Sequence, residues 1–314
     1  MTNAYGLNKD GKFRRASFVV LGHINPIGSM MLMTGGGMAI ITAQMIDETV
    51  RPITWVQWAV YMIPPMLLLF ALSTVSAMYL YRLDDDQTLD ASTLDESMKA
   101  VVKGGNDPLN RDQRIVGGVM LGAVAAWIVG SFLNVPTIVP AIVAVAILSA
   151  PGIDIVDREL IEEVSWGILF LIGAMFSILE VMGTTGTLDL LIGVLIETIP
   201  FEAMAPWLVV GTLLAIAVFI RAWFSTASAV IVVTLPIIME FGVVLGINRL
   251  FLALSVLIIV GSTTFFPFNT TSVMLLYDRG PLNLQEVLGF GLVMMIHGTI
   301  VIVFSWLFYW PIVV

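Results

Sequence analysis

Residues 204–245 form one apolar stretch of about 42 residues, interrupted at its centre by Arg221-Ala222-Trp223-Phe224-Ser225-Thr226-Ala227-Ser228. About 20 consecutive apolar residues are enough to carry a helix across hydrocarbon. Each arm of this stretch is close to that length. An arginine between them is costly at membrane depth. Two arrangements accommodate it: two full spans that meet at a surface turn, or a hairpin that enters and leaves on one side with its tip buried. The short arms and the Ser/Thr density of the knot favour the re-entrant hairpin, 204–245.

The rest of the chain has the same character. Of 314 residues, 58% are hydrophobic and 12% charged, whereas a soluble domain carries about 25% charge. Lipid must therefore cover much of the surface, and the bilayer is the first expected partner. The net charge of -9 sits mostly in two polar segments. With no basic patch, nucleic acid is excluded as a partner. With no cysteine, disulfide and thiolate chemistry are excluded too. Met1 to Lys12 is polar, without the short apolar core of a signal peptide. Enzyme readings find no H-E-x-x-H and no G-x-S-x-G elbow with partners, so no catalytic residue is assigned.

Apolar and polar segments alternate along the chain. A broken helix is expected over 15–47 and a span over 53–83, which contains Pro64-Pro65. A polar loop follows over 84–114, with Asp84-Asp85-Asp86, Lys99 and Lys103. Spans are expected over 115–133, 135–150 and 164–182, then an amphipathic segment over 188–199. The hairpin follows, then a second broken helix over 250–277 and a last span over 287–312. Placing Lys9, Lys12, Arg14 and Arg15 in the cytoplasm also puts the 84–114 loop, the 151–163 segment and Arg279 there. The expectation is a multi-pass protein of the cell (inner) membrane, N-terminus cytoplasmic and C-terminus outside. The parity is the same for either arrangement of 204–245, so charge does not choose between them.

The two broken helices, interrupted near 28–37 and 261–272, carry the functional signal. Backbone breaks at membrane depth are tolerated only where protein buries them or where they line a cavity. Breaks at corresponding points of two repeats point to a transporter's binding site. Each break is followed by a short polar turn and a helix entry, Ile53-Thr54-Trp55-Val56-Gln57-Trp58 and Leu282-Asn283-Leu284-Gln285-Glu286-Val287. That similarity suggests an internal repeat.

Here the residues resemble the divalent anion–sodium symporter family, which carries dicarboxylates, tricarboxylates or sulfate. Ile27-Gly28-Ser29 followed by Thr34-Gly35-Gly36-Gly37 resembles its I-G-G-x-x-x-x-T-G-T-G-P-N loop. Val164-Ser165-Trp166-Gly167 through Gly173-Ala174 is similar to its W-x-x-L-L-L-x-G-G span. Phe224-Ser225-Thr226-Ala227-Ser228-Ala229 resembles its S-N-T-A-T-A hairpin tip. Phe266-Pro267-Phe268-Asn269-Thr270-Thr271-Ser272, with Tyr277, resembles its second loop, F-x-x-P-x-x-T-P-P-N. The resemblance implies an all-α integral membrane fold, an inverted-repeat secondary transporter working by alternating access on a small dianionic substrate, with Na+ as coupling ion and no cofactor. It implies substrate contacts at Arg221, Ser225, Thr226, Ser228, Gly36, Thr270 and Thr271. It implies cation contacts at Thr34, Gly35, Ser225 and Asn269. It also implies a homodimer.

The departures are specific. Ser225 follows Phe224 where the tip motif has S-N, and Ala39 and Val273 stand where the loops carry asparagine. The chain begins just before the first broken helix. The first part of repeat 1 is thus expected to be absent: residues 1–83 would end the first repeat and 115–314 form the second. Either a separate chain supplies the missing part, or the chain is a truncated, non-transporting subunit. An arsenite or cation antiporter relative is a third reading. Arg221 has two readings of its own, a partner for a substrate carboxylate or a side chain that snorkels to the interface. His23 and His297, alone in apolar helices, read as structural.

Overall fold

The structure, a computed structural model, describes residues 12–81, 110–162, 164, 166–187, 190, 193–194, 204–280 and 282–314. Asp84-Asp85-Asp86, Lys99, Lys103 and most of the amphipathic segment 188–199 lie outside the described residues. Among the described residues every regular element is helical. In chain order these are α1 (Lys12–Met31), α2 (Gly37–Thr49), α3 (Trp55–Leu80), α4 (Arg111–Leu133), α5 (Ile138–Leu148), α6 (Arg158–Glu162) and α7 (Trp166–Thr184). Then follow α8 (Pro206–Trp223), α9 (Ala227–Val244), α10 (Arg249–Ser262), a 3-10 turn (Pro267–Asn269), α11 (Thr271–Arg279) and α12 (Leu284–Phe304). A π turn (Ser305–Tyr309) carries α12 on into α13 (Trp310–Val313). Among the described residues five segments are long and apolar enough to cross a membrane: α3, α4, α8, α9 and Leu284–Val313.

The chain divides into two compact units. The smaller contains α4, α5, α6 and residues 54–57. Its main helix starts on a capping box: the Asn110 side chain accepts from Gln113 N–H at 2.7 Å, and the Gln113 side chain accepts from Asn110 N–H at 3.0 Å. Arg111 to Arg114, read from sequence as the end of the polar loop, are therefore its first turn. The helix ends at Asn134 in the left-handed region (φ 54°), a conformation asparagine tolerates. Val135 N–H then bonds to Gly130 O (2.9 Å), and Trp127 Nε1–H to Thr137 O (2.7 Å), which folds α5 back onto α4. Asn134, Val135 and Pro136 stay outside helix. The helix within the segment read as a 135–150 span has 11 residues, about 16 Å at 1.5 Å per residue.

The larger unit is built around α10. Every residue from Leu250 to Ser262 is buried, as expected for a helix that is apolar on all sides. Helices α2, α8, α9 and α12 pack against it. Its hydroxyls are satisfied internally: Ser255 Oγ donates to Phe251 O (2.7 Å) and accepts from Trp306 Nε1–H (2.7 Å). The chain reaches α10 from α9 through a Schellman turn. Ile247 N–H bonds to Gly242 O (2.9 Å) and Gly246 takes φ 65°, a left-handed conformation that glycine adopts without a Cβ penalty. Around this core α3 runs antiparallel to α12 and α13. Tyr309 Oη donates to Val60 O (2.6 Å), Trp310 Nε1 to Tyr61 O (3.1 Å), and Ser76 Oγ meets His297 Nε2 at 3.1 Å. The other lone histidine, His23, is buried with Nδ1 on Val19 O (2.9 Å) and its ring edge-on to Phe290.

The two helix entries matched by sequence use the same device. Thr54 and Gln57 form a capping box (3.2 and 3.0 Å), and so do Asn283 and Glu286 (2.9 and 2.9 Å).

The chain that follows α10 lies directly on α12, because Gly291 leaves room for it: a Cβ there would collide with the Thr264 carbonyl. A Cβ on Gly289, in the same helix, would meet nothing within 4 Å. Gly291→Ala is expected to lower the thermal unfolding midpoint of the detergent-purified protein by several degrees, an overpacking cost of about 1–3 kcal/mol. Gly289→Ala is expected not to lower it. Equal midpoints for the two variants would contradict this packing.

Candidate functional site

Three interruptions meet in the larger unit. The first lies between α1 and α2. The glycine pattern placed its start at Gly28, but α1 continues through Gly28 to Met31, so the break is 32–36. Pro26 also lies inside α1. A proline has no N–H for the carbonyl four residues earlier, here Gly22 O, and Ser272 Oγ of α11 donates to that carbonyl at 2.9 Å. The C-terminal end of α1 is held in the same way, with Trp58 Nε1–H on Met30 O (3.2 Å). The loop then folds tightly on itself: Gly35 N–H bonds to Leu32 O (2.9 Å), and a Cβ on Gly35 would stand 2.7 Å from the Ser29 carbonyl.

The second interruption is the hairpin tip. Helix α8 stops at Trp223, Phe224 and Thr226 are extended on either side of a bend at Ser225, and Thr226 caps α9 by accepting from Ala229 N–H (3.3 Å). The third runs from Thr263 to Thr270, between α10 and α11. Its hydroxyls Thr264 Oγ1 and Thr270 Oγ1 lie 2.8 Å apart.

The tip touches both loops. A Cβ added to Gly37, the first residue of α2, would lie 3.2 Å from Ser228 Oγ. On the other side Arg221 and Asn269 exchange hydrogen bonds. Arg221 donates through Nε to Val260 O (3.2 Å), through Nη1 to Phe224 O (2.9 Å), and through Nη2 to Asn269 O (2.7 Å) and Thr270 Oγ1 (3.1 Å). Asn269 Nδ2 donates to the carbonyls of Arg221 (3.4 Å), Ala222 (3.2 Å) and Phe224 (2.8 Å). Its Oδ1 accepts from Phe265 N–H (3.2 Å) and Phe266 N–H (2.9 Å).

This geometry sorts the residues singled out from sequence. Ser225, Thr226, Gly35 and Thr271 are exposed, while Thr34, Gly36, Ser228 and Thr270 are half-buried. Arg221 and Asn269 are buried. Both readings of Arg221 give way to another: it neither reaches an interface nor stands open to a ligand, because four acceptors on three segments (the end of α10, the tip and the second loop) hold its guanidinium inside the protein. Asn269, read as a cation ligand, has its side-chain amide and its backbone carbonyl engaged within the protein. Sequence reading missed this pairing. The signal was present, since one arginine and one asparagine at two breaks in apolar sequence must each find partners.

Helices α2, α9 and α11 all begin at these interruptions. The first N–H groups of a helix have no intrahelical acceptor, and that end carries a partial positive charge. Hydroxyls of Ser225, Thr226, Ser228, Thr270 and Thr271 stand at the same places, and no Asp or Glu occurs in 32–37, 221–228 or 261–272. Such a set suits an anion.

The first loop supplies a direct check. Gly35→Ala forces a Cβ against a backbone carbonyl and is expected to lower the unfolding midpoint by about 1–3 kcal/mol equivalent. Gly28→Ala, inside α1 with open space around it, is expected to be neutral or stabilising. The reverse order in a thermal melt would restore the break to Gly28.

The sequence matches the family described as the sodium:sulfate symporter transmembrane region over residues 10–314. It is also 22% identical over 312 residues to a protein of Cupriavidus necator named "Membrane protein". That similarity takes in 98% of this chain and 60% of the relative, so the chain spans about three-fifths of the length of the curated relative it matches. With five helices among the described residues apolar and long enough to cross a bilayer, the protein is a multi-pass membrane protein.

Proposed function

This chain belongs to the sodium:sulfate symporter family, and from that premise we propose that it serves as a secondary transporter of small dianions, sulfate or a dicarboxylate, driven by sodium. The observation that carries the reading is the meeting of the hairpin tip with both broken-helix loops. Three helix N-termini and a set of hydroxyls there offer donors to an anion without any competing carboxylate. The substrate contacts are Ser225, Thr226, Ser228, Gly36, Thr270 and Thr271. Sodium is held by Thr34, Gly35 and Ser225, through backbone carbonyls of the unwound first loop and the serine hydroxyl.

In this reading 204–245 is a re-entrant hairpin, because its tip is tied to loops inside the protein rather than to a membrane surface. The matched capping boxes before α3 and α12 mark the same point in two inverted repeats. The N-terminus is cytoplasmic and the C-terminus outside. Alternating access moves the site between the two faces, with no covalent step.

The test is uptake of sulfate and of succinate into proteoliposomes under an inward sodium gradient. Thr226→Ala removes both a ligand hydroxyl and a helix cap worth about 1 kcal/mol, and uptake is expected to fall at least fivefold. Thr226→Ser keeps the oxygen and is expected to retain most activity, while Thr270→Ala falls with Thr226→Ala. Wild-type kinetics in both alanine variants would overturn the site. Absence of sodium-stimulated uptake of either dianion by the folded wild-type protein would overturn the function.

A further inference from the structure

Arg221 and Asn269 sit on different breaks, and each satisfies the other's backbone. The Asn269 amide takes three carbonyls at the end of α8 and the tip. The Arg221 guanidinium takes the Val260 carbonyl at the end of α10, the Asn269 carbonyl and the Thr270 hydroxyl. All four acceptors of Arg221 are neutral oxygens, and with the residue 1% exposed its charge is held, among the described residues, by dipoles. The links run in both directions, so neither the tip nor the second loop can shift without loosening both sets.

We propose that Arg221 is the positioning residue of the site: with Asn269 it splints the hairpin tip to the second loop, so that Ser225-Thr226 and Thr270-Thr271 form one rigid wall, and it does so without touching the ligand. The fork is what matters. Four acceptors lying on three segments match a planar guanidinium with five N–H groups, and a compact ammonium on a flexible stem cannot span them. That the wall faces a transported anion rests on the transport reading. That Arg221 holds the wall together does not.

The test exploits the absence of cysteine from the chain. Thr263, at the start of the second loop, is fully buried and its hydroxyl has no hydrogen-bond partner among the described residues. Thr263→Cys therefore places a shielded thiol beside the splint at little cost. Ser73, buried in α3, provides a second shielded position, Ser73→Cys, as a control. Alkylation by N-ethylmaleimide is measured in detergent, with Arg221 intact or changed to Lys or Gln. Both changes are expected to speed alkylation at Thr263→Cys about tenfold or more, as a local opening does, and to leave Ser73→Cys slow. Unchanged rates at Thr263→Cys would overturn the splint. So would a lysine variant that behaves as wild type, since charge alone would then suffice. An equal rise at Ser73→Cys would also overturn it, because the loss would then be global. In proteoliposomes a misplaced wall raises the KM for sulfate about tenfold in both variants, equivalent to roughly 1.4 kcal/mol. A fall in maximal rate at unchanged KM would count against positioning. If wild-type protein moves no sulfate, the transport reading falls and the alkylation result still decides the splint.

Discussion

Wherever a helix is interrupted in an apolar medium, its last carbonyls and the next helix's first N–H groups lose their intrahelical partners, and each unsatisfied group costs several kcal/mol. In this protein side chains from neighbouring segments take up the carbonyls. Trp58 holds Met30 O, Ser272 holds Gly22 O, Arg221 holds Val260 O, and Asn269 holds three carbonyls at the hairpin tip. The donor ends are treated differently. Apart from the Thr226 cap on Ala229 N–H, the starts of α2, α9 and α11 present their N–H groups where the three interruptions converge. The division is electrostatic as well as structural: protein side chains stabilise the negative ends of the half-helices, and the positive ends are gathered in one place.

That gathering depends on close packing. Helix α10 is buried on every side, so its end and the loop after it are enclosed by neighbours and can approach them only where side chains are small. Gly37 admits Ser228, Gly291 admits the backbone of Thr264, and Gly261 admits Met30 and Met38. These glycines act through the absence of a Cβ rather than through backbone conformation. Gly246, with its positive φ, is the contrasting case. A rigid core with close backbone contacts transmits position well, which is why polar residues at separate breaks can act on one another.

Much of this was legible in the residues. The three interruptions, their Ser, Thr and Gly content, and the long apolar arms on either side could all be read directly, and they matched a family whose profile extends over residues 10–314. Local chemistry also marked the helix entries, since Thr54 with Gln57 and Asn283 with Glu286 have the spacing of a capping box. The boundaries were less legible. Gly28 and Pro26 look like breakers, yet both lie within α1, because a serine some 250 positions away supplies the bond that Pro26 removes. The stretch 135–150 looks like a span by composition, yet a left-handed Asn134 and the Trp127 bond to Thr137 turn the chain early and leave a short helix.

By itself, then, the sequence determined that this is a membrane protein, that its apolar helices are interrupted in three regions, and which polar side chains stand there, because hydropathy and residue type are local properties. Tertiary structure decided what those side chains do. Arg221 reads from sequence as a ligand group or a surface anchor, and Asn269 as a cation ligand. Only when the end of α8, the end of α10 and the turn before α11 are brought together do they become each other's caps. The reason is that a buried donor is defined by whichever acceptor folding brings within about 3 Å of it, and for these two residues all the acceptors but Phe224 O for Arg221 lie 39 to 49 positions away in the chain.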